Sequence, residues 1–201
     1  MHTDVRETIP PLVRAFDDSP IMRYLMPSPR IRRIGTTGFF RGILRDALPF
    51  KTVWAAKVDG VIVGAAVWLP AHAYPPSAAR KARQLGSLLP SAPLAPFGMA
   101  RSLRYLNEVE AVHPHEPHWY LALLGVDPSH QARGLGTLLL EPALRRSDEE
   151  GLPCYVETDK ERNLAFYARH RFDRRDTLHP AGASAPPTWT MWRTSSEPGP
   201  R

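Results

Sequence analysis

The sequence predicts a mixed α/β fold, in which one pair of parallel β-strands lies in a sheet with antiparallel neighbours. Residues 119–126 and 153–158 are two short apolar runs joined by a helical pattern, which is typical of parallel strands with a crossover helix. Residues 51–69 contain two β-rich runs on either side of a two-residue turn, which favours an antiparallel hairpin. Residues 187–193 alternate between polar and apolar side chains and predict a final antiparallel strand.

The N-terminal half is predicted to hold two helices before the hairpin and two after it. The turn of the hairpin is Asp59-Gly60, which favours a type I′ turn with positive φ at both residues. Apolar residues recur at helical spacing in the other segments, and prolines interrupt them. The predicted elements are helices within 6–17 and from 30 to about 48, strands 51–58 and 61–69, and helices 77–89 and 94–112.

The C-terminal half supplies the parallel pair. The helix between its strands ends near Gly151, and Pro142 inside it predicts a kink. After the second strand, Thr158 and Glu161 have the spacing of a capping box, which predicts that a short helix opens there. Another strand is expected from about residue 172 to Leu178.

Composition indicates one domain, residues 1–193, followed by a disordered tail at 194–201. No run of about 18 apolar residues and no signal-type hydrophobic region is visible, so we expect a soluble cytoplasmic protein, monomeric or homodimeric, with no membrane partner. The only cysteine, Cys154, lies in an apolar run and is interpreted as a core residue. The net charge of +6 is dispersed along the chain, which argues against nucleic-acid binding and suits a small polyanionic ligand.

The segment His113-Pro-His-Glu-Pro-His118 groups three histidines and a glutamate, so a metal site is one interpretation. No second cluster of cysteines or histidines supplies an obvious further ligand. We therefore interpret this segment as a surface loop that precedes the buried strand, and we expect no metal.

The turn after the first parallel strand has the pattern Gln131-Ala-Arg-Gly134-Leu-Gly136 and leads into a helix. Free N–H groups and the positive end of the dipole make a helix N-terminus suitable for phosphate, and glycine lets the phosphate approach closely. The spacing matches neither the G-x-x-x-x-G-K-[ST] loop nor the G-x-G-x-x-G loop. The sequence therefore predicts a site for a pyrophosphate-bearing cofactor.

This Q-x-x-G-x-G pattern resembles the acetyl-CoA loop of the GNAT N-acetyltransferase superfamily. The run from Glu157-Thr158 to Asn163-Leu-Ala-Phe-Tyr167 resembles a second signature of the same superfamily. The resemblance implies a twisted, mostly antiparallel sheet with helices on both faces, whose central parallel pair splays at the cofactor. It also implies acetyl-CoA as cofactor, bound by Leu124, Val126, Gln131, Ala132, Arg133, Gly134, Leu135, Gly136, Thr137, Asn163 and Tyr167.

The superfamily transfers an acetyl group by direct attack of an amine on the thioester in a ternary complex. The resemblance implies that Tyr167 is the general acid for the departing thiolate. The amine must lose a proton, and Glu157 is our candidate base, although its carboxylate could instead bind the substrate cation or cap the next helix. A narrower resemblance, to the puromycin N-acetyltransferase group, is carried by residues 16–20, 53–54, 66–68, 119–172 and 188–191. It implies a small-molecule amine, such as an antibiotic, as acceptor.

Two other functions stay open on the sequence. A protein or peptide N-acetyltransferase would need an open groove, and a regulatory module would bind acyl-CoA without catalysis. The chain also departs from the family at two positions: no clear strand precedes the first helix, and Arg171 stands where a glycine commonly follows the Tyr167 helix. Residues 70–112, which help to shape the acceptor pocket in this family, carry little resemblance.

Overall fold

The computed structural model describes residues 4–87 and 96–196, and within these ranges the chain forms seven α-helices and six β-strands. In chain order they are α1 (Val5–Ala15), α2 (Pro20–Leu25), α3 (Pro29–Ala47), β1 (Val53–Val58), β2 (Val61–Leu69), α4 (Ala78–Gly86), α5 (Pro96–Ala111), β3 (Trp119–Val126), α6 (Leu135–Glu149), β4 (Cys154–Thr158), α7 (Arg162–Arg169), β5 (Asp173–Leu178) and β6 (Thr188–Arg193).

The strands form one sheet in the order β1-β2-β3-β4-β6-β5, with β3 and β4 parallel and every other neighbouring pair antiparallel. The predicted parallel pair joined by a helix is therefore confirmed. The predicted hairpin is also confirmed, since Asp59 and Gly60 have φ values of 50° and 80°. Both residues thus adopt the left-handed conformation that a type I′ turn requires.

Helices cover both faces of the sheet, each over its own apolar core. On one face, Leu12 of α1 and Phe40 and Leu44 of α3 pack against β2 and β3. On the other face, Leu140 of α6 packs with buried residues of the central strands, among them Trp119. Burial of these aromatic and aliphatic side chains is the main stabilising contribution to such a fold.

The capping-box prediction is wrong. Helix α7 begins at Arg162. The residue at its N-cap position is Glu161, not Thr158, and the Glu161 side chain makes no capping hydrogen bond. Thr158 instead pairs with Trp189 in the sheet, and its hydroxyl accepts a hydrogen bond from Asn163 Nδ2 at 2.9 Å. Pairing in the sheet competes with the local capping geometry at this position, so the strand extends through Thr158.

Several other boundaries follow the sequence closely. Helix α6 runs continuously from Leu135 to Glu149 although it contains Pro142. Of the segment before α1 the described range includes only Asp4, so the absence of the family's first strand stays a prediction. Cys154 is fully buried, and burial raises the pKa of its thiol to about 11, which suits a core residue better than a nucleophile.

No helix in the described ranges is both long enough and apolar enough to cross a bilayer. Residues 197–201 of the predicted tail lie outside the described residues, whereas the N–H of Ser196 donates to Asp148 Oδ1 at 2.8 Å.

Candidate active site

The two parallel strands diverge and open a cleft. β3 and β4 pair only where Trp119–Leu121 faces Cys154–Val156, and residues 122–126 of β3 have no partner on the β4 side. The divergence leaves a cleft of about 480 Å³ between the carboxyl ends of the two strands. Sheets with parallel strands usually bind ligands at this place, because the following loops and helix N-termini converge there.

A bulge in β3 shapes the floor of this cleft. Val67 pairs with Leu123 and Trp68 pairs with Leu121, so Ala122 is an extra residue without a partner on β2. The extra residue moves Leu121 into the core under α6 and Leu123 into the core under α1 and α3. Ala122 itself lines the cleft.

The glycine loop is anchored to the end of β3. The side chain of Gln131 donates from Nε2 to the carbonyl oxygen of Val126 at 2.9 Å. The Asp127 carboxylate accepts from the Ser129 N–H at 3.0 Å and from Arg14 Nε at 2.6 Å. Burial alone would raise the pKa of Asp127, but these hydrogen bonds outweigh it and lower that pKa. The loop is therefore held to the sheet by an ionised carboxylate and an amide.

The loop then presents a row of free donors. Among the described residues, none of the N–H groups from 132 to 137 donates to a protein acceptor. Gly134 has a φ of 78°, so it adopts the left-handed conformation at the start of α6 without the steric cost of a Cβ. A Cβ on Gly136 would lie 3.1 Å from Phe166 Cζ, a tight contact, so the close approach of the loop to α7 favours glycine. These unpartnered donors at a helix N-terminus fit a pyrophosphate.

Helix α7 places Tyr167 in the same cleft. The Tyr167 side chain is almost fully buried, and burial raises the pKa of its hydroxyl. No protein group in the described ranges hydrogen-bonds to this hydroxyl, although it borders the cleft. The phenol is thus a neutral O–H group without a protein acceptor beside the glycine loop.

Glu157 lies on β4 at the point where the strands diverge. Its Oε2 accepts a hydrogen bond from the Tyr120 hydroxyl at 2.8 Å, and its Oε1 lies 3.4 Å from Nδ1 of His113. Only 9% of the Glu157 side chain is exposed. A carboxylate held in this way beside the cleft can accept a proton or bind a cation.

The structure brings nearly all the predicted site residues together. Those that line the cleft are Leu124, Val126, Gln131, Ala132, Gly134, Leu135, Gly136, Thr137, Glu157, Asn163 and Tyr167. Arg133 is the exception, since it is exposed and does not line the cleft. Four basic residues around the cleft were not predicted, although their position beside the two motifs was an available signal. They are His130, Lys160, Arg162 and Arg169.

The interpretation of residues 113–118 as a surface loop is wrong for two of its histidines. His113 and His118 are only 4% and 3% exposed. Tyr74 stacks on the His113 ring with 3.8 Å between the ring centroids, and Tyr155 packs edge-on against it. Aromatic residues from β3, β4 and the segment before α4 cover the rings, which the local sequence does not reveal. Within the described ranges, no group of three or more potential ligands is arranged to hold a metal.

A second cavity of about 190 Å³ meets the cleft at Ala122 on the face covered by α3 and α5. Its lining is mostly apolar and aromatic. The polar members are Lys81, Gln84, Asn107, Glu110 and His113, and Lys81 pairs with the Glu110 carboxylate. This cavity lies next to the Glu157, Tyr120 and His113 group, since Tyr120 and His113 line it directly.

Comparison with known proteins decides the family. The model of the acetyltransferase (GNAT) family matches residues 21–172. The chain belongs to the acetyltransferase (GNAT) family. An uncharacterized N-acetyltransferase of Schizosaccharomyces pombe is 31% identical over 80 residues, which make up 38% of this chain and 32% of that protein. The chain thus aligns with about a third of that relative's length.

Solved structures of the GNAT family share the fold. A structure from Corynebacterium glutamicum, described as a histone acetyltransferase and related acetyltransferase, has a TM-score of 0.64 at 22% identity, with 98% of this chain and 94% of that chain covered. A Drosophila melanogaster polyamine N-acetyltransferase has a TM-score of 0.52 at 19% identity, with coverage of 96% and 97%. The mixed sheet with one parallel pair and helices on both faces is therefore the GNAT fold.

Proposed function

We propose that this GNAT chain is an acetyl-CoA-dependent N-acetyltransferase that acetylates the amine of a small molecule. One observation carries the proposal: the cleft between the diverging strands is lined both by loop residues 132 and 134–137, whose N–H groups have no protein acceptor in the described ranges, and by Tyr167. The loop N–H groups suit the pyrophosphate of the cofactor. The Tyr167 hydroxyl suits the thiolate that leaves from the other end of the cofactor.

The proposed roles follow from the position of each group. The loop donors bind the pyrophosphate, and the unpaired edge of β3 at residues 122–126 offers N–H and C=O groups to an extended ligand arm. Asn163 lies beside this arm, although its amide nitrogen also donates to Thr158. When bound, acetyl-CoA supplies the thioester that the amine attacks.

Two side chains are proposed to move protons. Glu157 accepts the proton that the amine must lose, since most amines are protonated at neutral pH. Tyr167 supplies a proton to the departing thiolate, and the raised pKa keeps its hydroxyl protonated at neutral pH. Both groups line the cleft, Glu157 on the β4 edge and Tyr167 on α7.

The acceptor is proposed to be small because the adjoining cavity is about 190 Å³ and is walled by side chains from α3, α4 and α5. Its aromatic and aliphatic lining suits an amine that carries an apolar group. The likeness of parts of the sequence to puromycin N-acetyltransferases makes aminonucleosides the first acceptors to test.

Three other features stay predictions: a single domain over residues 1–193, a cytoplasmic location and a monomeric or homodimeric state.

A thiol-release assay with acetyl-CoA against a panel of amines tests the function. The panel contains aminonucleosides, aminoglycosides, polyamines and peptides, because structural neighbours are named for polyamine and histone acetylation. We expect release with at least one small amine and none with peptides. Acetyl-CoA binding by calorimetry without release on any acceptor would contradict the proposal and favour a regulatory module. Release with peptides alone would contradict the small-molecule part.

A further inference from the structure

Two buried polar atoms face each other without a hydrogen-bond partner. They are Oε1 of Glu157 and Nδ1 of His113, which lie 3.4 Å apart. An unsatisfied buried polar group is destabilising, so a native structure rarely keeps two of them side by side without a reason. The reason lies in the hydrogen bonds that His113 makes through its other ring nitrogen to His118, and that His118 makes to Glu116.

The tautomers of the two histidines can be worked out from their partners. The carbonyl oxygen of Glu116 can only accept, so Nδ1 of His118, 2.6 Å away, carries a hydrogen. Burial lowers the pKa of His118, and the nearby His113 lowers it further, so the ring is neutral and its Nε2 is bare. Nε2 of His113 lies 2.9 Å from this bare nitrogen and must donate to it. In a neutral His113 ring, Nδ1 is then bare as well.

A bare ring nitrogen and a carboxylate oxygen therefore face each other, and both are acceptors. One proton between them would convert this repulsive contact into a hydrogen bond. The same His113 ring lines the cavity proposed for the acceptor amine, and Glu157 lines the cofactor cleft. These two facing acceptor atoms thus lie where the proposed reaction releases a proton.

We propose that Glu157 and His113 together take up the proton of the acceptor amine, and that His118 fixes His113 in the tautomer that can share it. This inference rests on the proposed function. The N–H bond of the ammonium breaks, its electron pair stays on nitrogen, and the proton bonds to the Glu157 carboxylate and is shared with His113 Nδ1. His113 and His118 act through Glu157 and are positioning residues.

The proton has a route to solvent between turnovers. A further cavity of about 290 Å³ is lined by both His113 and His118 and shares no lining residue with the cofactor cleft. Water in this cavity can receive the proton. The titratable or charged groups that face the two histidines are Tyr74, Glu110, His115, Glu116, Tyr120, Tyr155 and Glu157.

The three tyrosines of this group do not compete for the proton. Burial, followed by the charge of Glu157, raises the pKa values of Tyr74, Tyr120 and Tyr155, so they stay neutral. Glu110 is paired with Lys81. Glu157 is therefore the carboxylate in closest contact with the histidine pair.

The pH dependence of kcat/KM tests the inference. In His118→Phe the ring of His113 loses its hydrogen-bond acceptor, and we expect a drop of about ten- to a hundred-fold at pH 7. The drop should shrink as the pH approaches the pKa of the amine, because the acceptor then arrives without its proton. His118→Gln keeps an acceptor oxygen and should recover most of the loss. His179→Gln, in an exposed histidine that is not among the groups facing the pair, should keep the wild-type profile.

Two results would overturn the inference. If His118→Phe loses the same factor in kcat/KM at every pH, His118 only supports the structure. The same conclusion follows if His118→Phe and His118→Gln lose equal factors. Nitrogen-15 spectra of the histidine rings in the wild-type protein need no turnover. We expect the Nε2–H tautomer for His113 and the Nδ1–H tautomer for His118, and the opposite tautomers would refute the arrangement even if no amine is acetylated. Absence of thiol release with every amine would instead refute the proposed function.

Discussion

Replacing Tyr167 by phenylalanine separates the chemistry of this residue from its packing. The ring packs against Phe166 and Phe172, with centroid distances of 5.2 and 5.7 Å, and phenylalanine keeps both contacts. In the described ranges the hydroxyl has no protein partner, so its removal leaves no buried group unsatisfied. We therefore expect the free energy of unfolding to stay within about 0.5 kcal/mol of wild type.

The expected effect on turnover is much larger. A positioned general acid contributes about ten- to ten-thousand-fold, which corresponds to about 1.4 to 5.5 kcal/mol in activation free energy. Acetyl-CoA affinity should change little, because the loop donors and the β3 edge are untouched. The loss should therefore fall on kcat, since the hydroxyl is needed only when the thiolate departs.

Three measurements check this prediction on the same protein samples. Thiol release gives kcat, calorimetry gives the dissociation constant of acetyl-CoA, and thermal unfolding reports the fold. If Tyr167→Phe turns over a good acceptor within two-fold of wild type, Tyr167 is not the acid. If acetyl-CoA binding falls together with kcat, the hydroxyl serves cofactor binding instead.

Three further predictions concern the loop and the stability of the fold. Gly136→Asp should abolish acetyl-CoA binding in calorimetry, because its carboxylate would repel the pyrophosphate, whereas Gly86→Asp on α4 should bind normally. Arg171→Gly should raise the free energy of unfolding by about 0.5–1 kcal/mol in urea titrations, since Arg171 has a φ of 64° after α7. Asp148→Asn should lower the free energy of unfolding by about 2–4 kcal/mol at pH 7, because buried Arg193 loses a bidentate carboxylate partner. In the wild type, Nη1 and Nη2 of Arg193 donate to Oδ1 and Oδ2 of Asp148 at 2.9 and 2.7 Å.

The Asp148 variant should also change the acid dependence of stability. Burial tends to raise the pKa of Asp148, but hydrogen bonds, mainly from Arg193, outweigh it and lower that pKa below its ordinary value. The stabilisation is therefore present above the unfolded pKa of about 3.9 and is lost as the pH falls through the folded value. Unfolding followed from pH 7 down to pH 2 should show a smaller loss of stability in the variant. If wild type and variant lose the same stability between pH 7 and pH 2, the hydrogen bonds from Arg193 do not lower the pKa of Asp148.

Local patterns carried the prediction of the fold and of most of the cofactor cleft. The Asp59-Gly60 turn and the apolar runs at 119–126 and 153–158 encode their conformations in neighbouring residues, and the structure confirms them. The capping-box prediction was wrong because Thr158 pairs in the sheet with Trp189, which lies 31 positions away in the sequence. No local pattern indicates such a distant partner.

The sequence alone determined the order of the six strands and the glycine loop, because backbone preferences and periodic burial are properties of adjacent residues; helix α2 was not predicted. It also placed Tyr167 and Glu157 near that loop through two short motifs. Only the tertiary structure decided that His113 and His118 are buried and that His113 faces Glu157, since their covering rings come from four separate segments. Contacts between distant segments depend on how the sheet and helices pack, and packing set the electrostatic surroundings of the proposed base.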